Sequence, residues 1–314
     1  MISKNSTDNA PLVPNIILDC ILLSLTIVAI LKTSILILLI LIRRQLTRSK
    51  DKVLFFLSLN MYLSIFVFGL FVLDMIIPML HGHLHPNTPH SIYNTLWCRW
   101  KAYFAIIPLI CGLYSYTIQA FYRFCRIVFP SQPYFHGNIY LYIFAILLEI
   151  ILSSIQGLPT FLMDDYEYED YHCQILMTNW RSVCLGAVLL WLLPVTMTIV
   201  IYIYTVRYIR RHSLNFTVRQ HIRVQRDFTV IKRILLIVLF IVIFGLPTCF
   251  TTIVYYSFGF IGWWANHLSF LTFIVSFTSM STIQTYYSPH LRVLWTKTRI
   301  RIVPTVAIIG PSRT

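Results

Sequence analysis

Charge is scarce in this chain. Asp, Glu, Lys and Arg make up 11% of its 314 residues, where a soluble domain carries about a quarter. Acids are the scarcer sign, 11 against 25 Lys and Arg. So little charge excludes an ordinary cytosolic enzyme, whose surface would be unacceptably apolar, and equally a disordered chain. The seven cysteines show no metal-ligand spacing and are too sparse for a disulfide-stapled secreted domain. No low-complexity segment, soluble domain or internal repeat interrupts the chain. No helix-spaced pair of carboxylates, His-Glu-x-x-His motif or nucleophile with its base is present, so an enzyme is not expected, nor is any cofactor or metal.

What is abundant is apolar surface, 57% of residues with 15% aromatic. A bilayer core of about 30 Å needs roughly 20 apolar helical residues to span it. Seven runs qualify: 16–42, 53–80, 100–124, 139–163, 183–209, 231–256 and 261–287. Lipid offers no partner for backbone N–H and C=O groups, so each run is expected to be a helix. The strict alternation of a membrane barrel is missing. The expected fold is therefore all-α: a seven-transmembrane-helix bundle over 16–287, preceded by a short N-terminal segment (1–15) and followed by an amphipathic helix and tail (288–314). The first run is too long and too poorly flanked for a cleaved signal peptide, and the short N-terminal segment argues against a large-ectodomain hormone receptor.

The basic excess gives the orientation rather than a nucleic-acid footprint. Twenty of the 25 Lys and Arg residues lie between runs one and two, at the end of run three, between runs five and six, and in the tail. The positive-inside rule makes those segments cytoplasmic and the N-terminus external. The sequon at Asn5 then falls outside, where it can be glycosylated, while Asn215 falls inside. After run seven, Leu291, Leu294 and Trp295 share a face flanked by Arg292, Lys297 and Arg299, the pattern of an interfacial helix on an anionic leaflet. The expected localisation is a multi-pass protein of the plasma membrane.

Run three ends Phe121-Tyr122-Arg123-Phe124-Cys125-Arg126-Ile127-Val128-Phe129-Pro130. Run five carries Pro194 and, eight residues on, Tyr202; run six carries Phe244-Gly245-Leu246-Pro247. Jointly and in this order, these segments resemble rhodopsin-like (class A) G-protein-coupled receptors, whose third span ends Asp/Glu-Arg-Tyr-x-x-Ile-x-x-Pro. Departures are visible: Tyr122 replaces the acid, Gly245 replaces a tryptophan, and Ser281-Thr282-Ile283-Gln284-Thr285 stands where Asn-Pro-x-x-Tyr is usual. Ala105 occupies the position of the amine-binding aspartate and run seven has no lysine, so neither a monoamine receptor nor an opsin is expected.

The resemblance implies a disulfide between Cys98, 25 residues before Arg123, and Cys173 in the second outer loop. It assigns Arg123, with Tyr122, Phe124, Pro130 and Tyr202, to the G-protein coupling switch. Asp227, 20 residues before Pro247, falls where the family places an acid on span six; it is expected either to restrain Arg123 or to pair locally with Arg223 or Arg226. Pro194, Gly245 and Pro247 are hinge candidates, since proline removes a helix N–H and kinks the chain. The expected function is transduction of an extracellular ligand signal to a heterotrimeric G protein through movement of span six. A non-signalling decoy or scaffold of the same fold and, further off, a transporter are the rivals.

Three features stand outside the resemblance. Asp164, Asp165, Glu167, Glu169 and Asp170 crowd the second outer loop and are candidates for steering a cationic or peptide ligand, or belong to a merely solvated loop. His81, His83, His85 and His90 are read as a Pro-rich loop rather than a zinc site. Lys32, Glu149 and Asp74 are the intramembrane ionisable residues, functional candidates by default; the partner of Lys32 is open.

Overall fold

The computed structural model describes residues 12–44, 52–85, 96–129, 132–169, 171–175, 179–212, 239, 247, 249–259, 262 and 264–287. Three helices of 33 residues come first: α1 (Leu12–Arg44), α2 (Lys52–Leu84) and α3 (Leu96–Val128). A short α4 (Pro133–Gly137) leads into α5 (Ile139–Leu162). Strands β1 (Tyr166–Glu169) and β2 (His172–Ile175) follow, then α6 (Trp180–His212), α7 (Cys249–Phe258) and α8 (Ala265–Tyr287).

Six of these helices are long and apolar enough to cross a bilayer; α7 is a shorter apolar helix. At 1.5 Å per residue, 33 residues reach about 50 Å, well beyond a 30 Å hydrocarbon core. α1 begins at Leu12, four residues before the apolar run does.

The side chains are distributed inside out relative to a soluble protein. Val13, Leu31, Phe144 and Ile155 are more than half exposed, while Asp19, Gln119 and Ser153 are fully buried. Apolar faces meet lipid, and the polar groups need one another. α3 is the central strut, packed against α2, α5, α6 and both strands; α1 rests on α2 and α8.

Local chemistry sets the boundaries. Asn138 caps α5, its side chain accepting from the Tyr140 N–H at 3.0 Å. The same helix ends where Asp164 turns into the left-handed region (φ 57°), with its N–H bonded to the Phe161 carbonyl at 3.2 Å. Within α6, Ala187–Leu192 form a π-helical turn just before Pro194. Proline cannot donate to the preceding turn and crowds its carbonyl, and widening the helix relieves both.

The described chain is almost entirely helical, as expected, with one short addition: β1 and β2 pair as an antiparallel hairpin in which Tyr168 faces Cys173. Tyr166 is buried and Glu167 exposed, the alternation of a half-buried strand.

Candidate functional site

The Cys98–Cys173 disulfide is formed, with Cα atoms 5.6 Å apart. It ties β2 to the start of α3 and lays the hairpin across one end of the bundle. Tyr166 is buried and bonded to Thr160 at 3.1 Å; burial pushes its phenol up to about 12. The tip closes on α2, where the Tyr171 ring packs so tightly on Gly82 that a Cβ there would lie 2.2 Å from it. Only glycine fits that approach.

Beneath the hairpin lies a cavity of about 270 Å³. Phe68, Leu109, Trp191, Phe273 and Phe277 form its walls, and Ala105 lies among them. The π-helical turn supplies another side through Ala187, Leu190 and Trp191. No charged side chain lines the cavity among the described residues; Gln174, Ser182, Ser269 and Ser276 give it its polar atoms.

The acids lie at the rim instead. Asp164 binds Arg99 at 2.7 Å, and Asp74 binds Lys101 at 2.7 Å. Asp165 is buried and accepts from Asn179 at 2.8 Å. Glu167 is exposed, and Glu169 lies on β1. Asp164 and Asp165 thus hold this segment in place, and Glu167 is an exposed carboxylate with no part in those bonds.

Polar cross-braces tie the bundle together below the cavity. Glu149 on α5 accepts from Asn60 on α2 at 3.1 and 3.2 Å and from Ser115 on α3 at 2.9 Å. Lys32 finds its partners on α8: it donates to the Thr278 carbonyl at 3.1 Å, to Ser281 Oγ at 2.9 Å, and to Thr282 Oγ1. Thr117 on α3 meets Thr198 on α6 at 2.8 Å and also donates to the Pro194 carbonyl at 3.2 Å.

Toward the opposite end, Tyr116, Gln119 and Arg123 fall on one face of α3, three and four residues apart. Gln284 donates to Gln119 at 2.8 Å, and Tyr62 bonds Thr285 at 2.8 Å. Yet the Tyr116 hydroxyl, Gln119 Nε2, Arg123 Nη1 and the Tyr202 hydroxyl are buried without a hydrogen-bond partner among the described residues. Arg123 lies beside Tyr202 across the α3–α6 contact. The chain matches no protein-family model and no curated protein, and its function is therefore argued from this geometry.

Tyr122, which stands in place of an acid, packs edge-on to Tyr142 at 5.4 Å in an apolar cluster with Leu54 and Ile146. Tyr142 in turn donates to the Phe135 carbonyl of α4 at 2.5 Å. Phe124 packs edge-on to Phe129 at 6.3 Å. Pro194 is buried behind the π-helical turn, and Pro247 is helical and half-buried. Asn5, Pro130, Asp170, Asp227 and Gly245 lie outside the described residues.

Sequence reasoning missed one constellation. His83 is not in a loop but in the last turn of α2, fully buried, where it meets Asp19 of α1 and His267 of α8. Its neighbours come from opposite ends of the chain, so spacing gives no hint of it; the available signal was an acid in the first apolar run and a histidine in the last.

Proposed function

We propose that the chain is a rhodopsin-like seven-helix receptor that couples a ligand in the hairpin-roofed cavity to a heterotrimeric G protein at the other end of the bundle. The observation that carries this reading is the alignment of two features along α3: an apolar cavity under the disulfide-tied hairpin, and a half-buried Arg123 beside the buried Tyr202. The basic excess puts the hairpin outside the cell and Arg123 at the cytoplasmic face, as a plasma-membrane receptor requires.

Ligand binding favours the arrangement in which the inner end of span six moves out and Arg123 becomes open to the G protein. The ligand is compact and predominantly apolar, since the described residues that line the cavity carry no charge. The rival reading, a non-signalling protein of the same fold, draws on Tyr122, which is committed to Tyr142 rather than to Arg123.

The test is guanine-nucleotide exchange in membranes containing the chain, across G-protein classes and a library of small apolar compounds. A responding compound is expected, and Ala105→Phe, which fills the cavity, abolishes its effect while leaving surface expression intact. Unaltered responses in that variant remove the cavity from the mechanism.

A further inference from the structure

We propose that Asp19, His83 and His267 form a binding site for a transition-metal dication, Zn²⁺ first among them, that clamps α1, α2 and α8 together at the hairpin end. The site lies outside the cavity and the Arg123 layer, and it stands whether or not the chain signals.

The geometry is that of a ligand set brought together by three helices. Asp19 Oδ2 lies 2.6 Å from His83 Nδ1, and Asp19 Oδ1 lies 3.0 Å from His267 Nε2. The candidate ligand atoms all fall within 4.8 Å of one another. All three residues are buried, at 0%, 6% and 3% exposure for Asp19, His83 and His267. Tetrahedral zinc at 2.0–2.2 Å from each donor needs about 3.3 Å between donors, so the two Asp–His pairs must open by less than about 1 Å and the widest pair of the set close by no more than about 1.5 Å. Two imidazoles and a carboxylate suit a borderline dication over the oxygen-seeking Ca²⁺ and Mg²⁺.

Two buried atoms without partners add to the picture. His267 Nδ1 has none among the described residues, nor has Asn15 Oδ1. Asn15 is one turn before Asp19 on the same face of α1 and is itself buried, a place from which an amide oxygen or a water it orients can complete the coordination. In the metal-free state each imidazole presents an N–H to the carboxylate. On binding, those nitrogens give their lone pairs to the metal, and each ring carries its proton on the other nitrogen. His81 and His85 are exposed on the same end of α2, their rings 5.0 Å apart. The consequence reaches the lid, because His83 packs edge-on to Tyr171 at the hairpin tip, 5.4 Å away. A metal there stiffens both the helix ends and the roof of the cavity.

The test uses the full chain, purified in detergent through a tag free of histidine. Zn²⁺ is titrated, bound metal per chain is counted after desalting, and the thermal unfolding midpoint is followed; Co²⁺ serves as a spectroscopic stand-in. The expected result is one tightly held zinc, a raised midpoint, and a visible Co²⁺ absorption of tetrahedral type. Asp19→Asn, which keeps the side-chain shape, weakens binding at least tenfold, whereas His81→Ala with His85→Ala leaves the single tight site in place. No tight zinc in the wild-type chain, or zinc lost with His81 and His85 but retained in Asp19→Asn, overturns the proposal. The wild-type cobalt spectrum decides even if a variant fails to fold.

Discussion

Tyr202 of α6 is buried beside the half-buried Arg123 of α3, so the two meet where the third and fifth apolar runs pack together. Tyr202→Phe is expected to change stability by no more than about 1 kcal/mol while lowering G-protein activation about tenfold, the worth of one charge-assisted hydrogen bond made in the signalling state. Thermal unfolding and nucleotide exchange, measured on the same preparation, separate the two effects.

Glu149 carries a different kind of load. It accepts from Asn60 and Ser115 on two other helices, so Glu149→Ala strands both donors and should cost about 2–4 kcal/mol of stability. Glu149→Gln keeps an acceptor oxygen and should cost about half as much or less. Unfolding midpoints of the two variants in detergent give the comparison; equal losses would mean that packing, not hydrogen bonding, is what the site supplies.

Lys32 bridges α1 to α8 through Thr278, Ser281 and Thr282. Interhelical hydrogen bonds in membranes average below about 1 kcal/mol and reach about 1.7. Lys32→Met, which preserves the stem, should therefore lower stability by about 1–2 kcal/mol, read as a shift in the thermal midpoint. Ser281→Ala alone should cost less than that.

The Cys98–Cys173 bond closes a sequence separation of 75 residues and anchors the hairpin. Cys98→Ser is expected to lose about 2–4 kcal/mol and, because the roof is then untethered, to weaken any cavity ligand. Binding that persists at full affinity in a folded Cys98→Ser protein would show that the hairpin does not shape the site.

Much of this architecture is legible in the chain. Apolar runs locate the spans because nothing but a helix satisfies the backbone in lipid, and six of the seven appear as helices of membrane-crossing length. The cysteine pair is legible through the resemblance, which pairs the cysteine 25 residues before Arg123 with one in the second outer loop; Cys98 itself lies in the first turn of α3. The helix ends are less so: α1 and α3 extend past their apolar runs, since capping and loop packing, not hydrophobicity, set where a helix stops. The hairpin was hidden by its acids, although Tyr166-Glu167-Tyr168-Glu169 alternates with the period of a strand. Asp19, His83 and His267 escaped because their relation exists only after three helices pack. Tyr122 shows the limit of motif reading: its position matches the family pattern, but its side chain serves the α3–α5 contact.

The central claim is that Arg123 is the coupling residue of a signalling receptor. Guanine-nucleotide exchange on heterotrimeric G proteins, measured for the wild-type chain and for Arg123→Ala at matched surface expression, tests it most directly. The wild-type chain should accelerate exchange, basally or with a cavity ligand, and Arg123→Ala should reduce that acceleration at least tenfold with its unfolding midpoint preserved. Undiminished exchange by Arg123→Ala, or no exchange by the wild-type chain with any G-protein class, would contradict it.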